Sequence, residues 1–183
     1  LPGQQVVVLG DQFPSNVYPW QQWPGVTVHA VHAPTPPSTD PLRLIERARA
    51  WNDALVDAID TRTALVAVEQ AHWTEGVLFD LQRVGARCRE VGAAFVVDAT
   101  QTVGAMPFDY ARLRPDALVV HSYKSMLSNY GLGFAVLGER FANGGPLEEH
   151  WLMREGSDDF ARLVDYAHAY AAGPAVSTEQ LLA

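Results

Sequence analysis

Apolar residues recur along this chain with two different periods. Compact or alternating runs rich in valine at residues 6–9, 26–31, 64–68, 93–97, 117–120 and 134–137 predict strands. Between them the spacing changes to three and four. Leu44, Ala48, Trp51, Leu55 and Ile59 fall on one face of a predicted helix that runs to about Ile59. It opens with Thr39 or Asp40 as cap and Pro41 in its first turn. Val77, Leu81, Val84, Cys88 and Val91 mark a second helix, closed by Gly92. Cys88 lies on its inward face and reads as a buried small apolar residue. A short helix is expected near residues 110–113, and a last one over 158–171 with Phe160, Leu163, Val164 and Ala167 inward. Strand and helix alternate to about residue 138. That order predicts an α/β fold with a mostly parallel sheet and flanking helices.

In such a sheet the ligand crevice lies beyond the carboxyl ends of the strands. Polar clusters occupy four of these ends: residues 13–16, 69–76, 98–101 and 121–124. Asp98 directly follows Phe-Val-Val, so its carboxylate is desolvated unless a cation meets it. Two partners are open, Lys124 after the following strand or the protonated ring nitrogen of a bound cofactor. His72 and Trp73, at another strand end, are expected on the substrate side. His29 and His32 are three apart on an alternating strand and so face opposite ways, and no metal site is expected from them. Gly131-Leu-Gly133 precedes a strand instead of opening a helix, which excludes a dinucleotide fingerprint. Glu148, Glu149 and His150 read as a solvated charged turn.

Composition sharpens the picture. Thirteen Lys plus Arg against 21 Asp plus Glu give a net charge of −8, which argues against nucleic acid or an anionic membrane as partner. No apolar run approaches the roughly 20 residues that span a bilayer, so a cytoplasmic protein is expected. Of the basic residues, only Lys124 is lysine, and arginine cannot replace a lysine that must act as an amine. The chain opens on Leu1 and enters a strand-like run almost at once, so a segment of a longer polypeptide is expected.

Val97-Asp-Ala-Thr-Gln-Thr-Val-Gly-Ala-Met-Pro-Phe-Asp109, Arg114-Pro-Asp-Ala-Leu118, Ser122-Tyr-Lys-Ser-Met-Leu127 and Tyr130-Gly-Leu-Gly-Phe134 together resemble a known pattern. It is that of the large domain of class V aminotransferase-fold enzymes. These are fold-type I pyridoxal-phosphate enzymes that include cysteine desulfurases, selenocysteine lyases, kynureninases and epimerases. The 26-residue interval from Asp98 to Lys124 is shared with desulfurases and kynureninases. The resemblance implies a large-domain segment over residues 1–145. Residues 146–183 would then connect, through a helix, toward a C-terminal small domain outside this sequence.

The resemblance also implies roles. Lys124 would form a Schiff base with pyridoxal 5′-phosphate and move the substrate α-proton. Asp98 would bind the pyridine nitrogen and Gln101 the phenolic oxygen. Phe13, Ser15 and Asn16 belong to a loop similar to the Phe-Pro-Ser-Asp loop of kynureninases, whose ring stacks on the pyridine. Asn16 stands where that loop has an acid. His121 and Tyr123 match positions that reach the cofactor phosphate, desulfurases having histidine at the second, and Trp151 matches an aromatic that reaches it across a dimer interface. A homodimer acting on a small amino-acid-like substrate is implied. Aminotransferase, lyase or desulfurase, kynureninase-like hydrolase and epimerase all begin from the same Schiff base. The contrasting expectation is a noncatalytic α/β binding module, or a degenerate pyridoxal-phosphate-fold protein, that keeps the fold.

Overall fold

The structure, a computed structural model, describes residues 4–142 and 154–165. Six strands form one sheet: β1 (Gln4–Leu9), β2 (Val26–Val31), β3 (Thr63–Glu69), β4 (Ala94–Asp98), β5 (Ala117–His121) and β6 (Gly133–Leu137). Their spatial order is β2-β1-β3-β4-β5-β6, and the β1–β2, β1–β3, β3–β4 and β4–β5 pairs are all parallel. The chain steps from β1 to β2 on one side and returns to place β3 on the other. The order therefore reverses between β1 and β3, the switch point at which such sheets open a crevice. Among the described residues five α-helices accompany the strands: α1 (Tyr18–Gln21), α2 (Pro41–Asp57), α3 (Leu81–Val91), α4 (Tyr110–Leu113) and α5 (Glu139–Ala142). By packing the chain divides into two compact units, Leu1–Ala135 and Val136–Ala183.

Side chains alternate across β1 as the pleat requires. Val7 and Leu9 join Val66, Val68, Phe95 and Val97 in the main core, where Trp51 and Leu55 of α2 and Val84 and Cys88 of α3 cover the sheet. Val6, Val8 and Ala67 face the other way into a smaller cluster with Val17 and Trp20. α2 starts where Asp40 accepts from Leu42 N and Pro41 has no donor to lose. α3 starts at Leu81 and not at Val77, because the Asp80 carboxylate accepts from Gln82 N and Arg83 N. Val77 packs on the core from the preceding loop. Gly92 ends α3 in the left-handed conformation, φ +78°.

Two helix expectations are corrected. Leu44 is exposed, and the inner stripe of α2 is Arg47, Trp51 and Leu55. Arg47 takes that place because Glu75 meets its guanidinium in a bidentate pair, with bonds of 2.7–3.0 Å, while its Cζ lies 5.7 Å from the Trp51 ring centroid. The arginine in turn holds the Glu75 carboxyl below the usual range. Residues Phe160–Asp165 form a 3₁₀ helix, and Phe160 and Val164 are exposed instead of inward. With three residues per turn, positions four apart no longer share a face. The remainder of that expected helix, and the turn at residues 148–150, lie outside the described residues.

Candidate active site

The chain leaves β1 through a tight turn. Asp11 adopts φ +54°, and the Gln12 side chain folds back so that its Oε1 accepts from Leu9 N at 2.8 Å. Pro14–Asn16 then form a single 3₁₀ turn, with Asn16 N donating to Phe13 O at 2.9 Å. This brings Phe13 and Asn16 over the carboxyl ends of β3 and β4.

The loop after β3 is fastened to that turn. His72 is buried, its Nε2 3.0 Å from Gly10 O and its Nδ1 3.1 Å from Thr74 Oγ1. A carbonyl can only accept, so Nε2 carries the proton and Nδ1 accepts. His72 is thus a structural tie and not a substrate-side group, a correction to its sequence-based placement. Trp73 is the residue that reaches the mouth. Its Nε1 donates to Asp11 O at 2.8 Å, and its ring meets Phe13 edge to face, centroids 5.4 Å apart.

Glu69 ends β3 beside Asp98 in the parallel register and is 2% exposed. Its Oε1 accepts from Phe13 N at 2.7 Å and its Oε2 from Trp73 N at 2.8 Å. Burial pushes its carboxyl up to about 7, and the negative charge of Asp98 adds to the rise. The two backbone donors and Lys124 pull the other way. The sequence reading did not single out this residue. Its signal was the one used for Asp98, a carboxylate directly after an apolar strand.

Asp98 is half-buried at the end of β4. Oδ2 accepts from Asn16 Nδ2 at 2.8 Å and Oδ1 from Thr100 N at 2.9 Å. Thr100 Oγ1 in turn accepts from His121 N at 3.0 Å, which links the ends of β4 and β5. Lys124 follows β5 in a turn closed by Leu127 N donating to Lys124 O at 2.9 Å. Its Nζ lies 5.9 Å from the Phe13 ring centroid and 5.7 Å from that of Tyr123. Among the described residues no ion pair within 4.0 Å joins Lys124 to Asp98. Tyr123 stacks on Tyr130 and meets the His121 ring edge-on, both at 4.3 Å, while His121 Nδ1 is buried and has no hydrogen-bond partner among the described residues.

The structure therefore gathers Phe13, Asn16, Asp98, His121, Tyr123 and Lys124 at the carboxyl ends of the strands in the first unit. Gln101 is half-buried nearby, its carbonyl accepting from Ser125 Oγ at 3.4 Å and its side-chain amide making no hydrogen bond among the described residues. Ser15 is exposed on the turn and is not drawn into the cluster. Trp151 lies outside the described residues.

Residues 1–148 match the model of the family described as aminotransferase class-V. The chain belongs to the aminotransferase class-V family. Its members use pyridoxal phosphate. Among the relatives of this class-V chain is a probable cysteine desulfurase of Methanothermobacter thermautotrophicus, 31% identical over 134 residues that cover 72% of this chain and 31% of that protein. Another is the 2-aminoethylphosphonate–pyruvate transaminase of Paraburkholderia phymatum, 34% identical over 98 residues, covering 52% of this chain and 26% of that one. The chain spans about a third of the length of the curated relatives it matches. Among solved structures, the complex of the cystine C–S lyase C-DES with cysteine persulfide superposes with a TM-score of 0.73 at 19% identity, covering 94% of this chain and 44% of that one. An Escherichia coli cysteine desulfurase gives 0.68 at 20%, covering 95% and 40%. At these identities the likeness is one of fold: the mostly parallel sheet of the class-V chain matches that of fold-type I pyridoxal-phosphate enzymes.

Proposed function

We propose that this class-V segment binds pyridoxal 5′-phosphate and belongs to an enzyme that acts on an amino acid or amine through Lys124. The observation that carries the reading is the separation of Asp98 and Lys124. They follow adjacent strands at the same end of the sheet, yet each is held by other groups and they do not pair with one another. A structural ion pair would have closed that gap.

The residues present fit the cofactor. Phe13 offers an aromatic face beside the lysine, and Asp98 offers a fixed carboxylate to a protonated ring nitrogen. His121 Nδ1 is a buried polar atom with no partner among the described residues. Gln101, whose amide makes no hydrogen bond among the described residues, would take the phenolic oxygen, and Tyr123 with His121 would take the phosphate. When bound, pyridoxal phosphate supplies an electron sink for the pair left as a bond at the substrate α-carbon breaks. Lys124 Nζ provides the amine for cofactor attachment and takes and returns the α-proton. Asp98 keeps a positive charge on the ring nitrogen, and Asn16 and Thr100 keep Asp98 oriented. Phe13 and Trp73 wall one side of the mouth. Amino transfer, sulfur removal, Cβ–Cγ hydrolysis and epimerisation all make these demands, and the segment serves each of them.

The deciding experiment is borohydride reduction after incubation with pyridoxal phosphate, followed by peptide mass spectrometry. The expected result is one pyridoxyl adduct, on Lys124. Folded protein that gives no adduct at saturating cofactor is a noncatalytic α/β module and ends this reading. The whole protein is proposed to be a homodimer, since Leu127 and Tyr130, 90% and 81% exposed, present apolar surface beside the Lys124 turn. Light scattering should give twice the chain mass.

A further inference from the structure

Glu69 takes no part in the chemistry assigned above, yet it is the most buried carboxylate at the strand ends, and both its oxygens are committed. Its two bonds go to different loops. One ends on Phe13 N, after β1, and the other on Trp73 N, after β3. These are the loops on either side of the switch point, and they leave the sheet beyond Val8 and Ala67, where the pairing of β1 with β3 ends. His72 and the Trp73 indole also cross between them, but their hydrogen bonds end on Gly10 and Asp11, at the root of the first loop. Glu69 reaches the residue whose ring stands beside Lys124.

We infer that Glu69 is a positioning residue, a carboxylate clamp that fastens the two loops together and so sets the Phe13–Trp73 pair against Lys124. The residue type follows from the donors. Two backbone N–H groups converge on one side chain, and only an ionised carboxylate presents acceptors at both ends. A glutamine would turn its NH₂ toward one donor and release that arm. The charged groups facing the clamp are Asp98 from β4 and Lys124 from the loop after β5. Its carboxyl titrates near neutrality, so the grip tightens as the pH rises through that point. The clamp's purpose rests on the cofactor reading, whereas its existence does not.

The test is therefore made first without cofactor, by amide NMR of the full chain across pH. The Phe13 and Trp73 amide protons should titrate together with one midpoint near 7, because one carboxyl holds both. In Glu69→Gln that shared transition should vanish. Glu69→Asp, one methylene shorter, should keep one amide and lose the other. Half-saturation of the Lys124 adduct should need at least ~5-fold more pyridoxal phosphate in Glu69→Gln, as expected from losing a hydrogen bond to a charged group. Separate midpoints, no titration of either amide, or an unchanged transition in Glu69→Gln overturn the clamp. If Glu69→Gln fails to fold, the wild-type titration alone decides. If the amides titrate together while no adduct forms, the clamp stands and the cofactor reading fails.

Discussion

Asn16 Nδ2 lies 2.8 Å from Asp98 Oδ2, so a side chain from the turn after β1 orients the carboxylate at the end of β4. The pairing depends on the amide. With Thr100 N on the other oxygen, Asp98 keeps its orientation without Lys124. The asparagine found where the kynureninase-like loop has an acid is thus accounted for by a contact that an acid would reverse.

Asn16→Asp should set two carboxylates against each other at hydrogen-bond distance, where one must hold a proton. Asn16→Ala removes the bond without adding charge, at a cost of about 1–2 kcal/mol for a partly buried hydrogen bond to a charged group. Urea unfolding should show the alanine variant weakened equally at pH 5 and pH 8. Relative to the wild type at the same pH, the aspartate variant should be weakened more at pH 8 than at pH 5. Identical pH behaviour of the two variants would contradict the contact.

Asp98→Asn keeps the hydrogen-bonding shape but not the charge. In the proposed role the variant should still give the pyridoxyl adduct on Lys124, while turnover of the whole enzyme falls by at least ~100-fold, the effect of a few kcal/mol acting on the transition state. A variant that loses stability yet keeps normal activity per folded molecule would show Asp98 to be structural. Lys124→Arg should abolish the adduct outright, since arginine does not give up its proton.

The strands, the parallel sheet and the Asp98–Lys124 arrangement were legible because they rest on local rules: apolar runs, turn residues, and a carboxylate at the mouth of a buried strand. Arg47 was not legible. Its inward place on α2 depends on Glu75, 28 residues on, and no periodicity within the helix announces that pairing. Glu69 carried the same signal as Asp98 and was passed over. Its partners are the backbone N–H groups of Phe13 and Trp73, which leave no mark on residue type. His72 was misplaced for a similar reason, because a strand-end position does not tell whether a ring points into the crevice or back toward Gly10.

Gly104 gives a prediction about the Lys124 turn. At φ +93° it occupies a region that L side chains rarely adopt, and a Cβ there would lie 2.6 Å from Ser125 O. The loop after β4 thus packs backbone to backbone against the residue next to Lys124. Gly104→Ala should cost about 1–3 kcal/mol and push the turn outward. The melting temperature should fall, and adduct formation at Lys124 should fall with it. A Gly104→Ala protein that melts lower but labels normally would separate the glycine from the site.

The last prediction concerns how stability depends on pH. The Glu69 carboxyl ionises near 7 in the folded protein against an ordinary 4.5, chiefly through burial. The folded state therefore binds this proton more tightly than the unfolded state. Its contribution is fully present below 4.5 and is lost as pH rises to 7, a change on the order of 3 kcal/mol. The same ionisation strengthens the bonds to Phe13 and Trp73, so global stability and the hold on the two loops move in opposite directions over this window. Denaturant unfolding of the wild type should show the Glu69 contribution as a decline between pH 4.5 and 7 that Glu69→Gln lacks. The difference between the two proteins isolates it from the other titrating groups. A difference that grows in the opposite sense, with the wild type gaining on Glu69→Gln as pH rises, would mean that the two backbone donors outweigh burial and that the carboxylate is charged throughout.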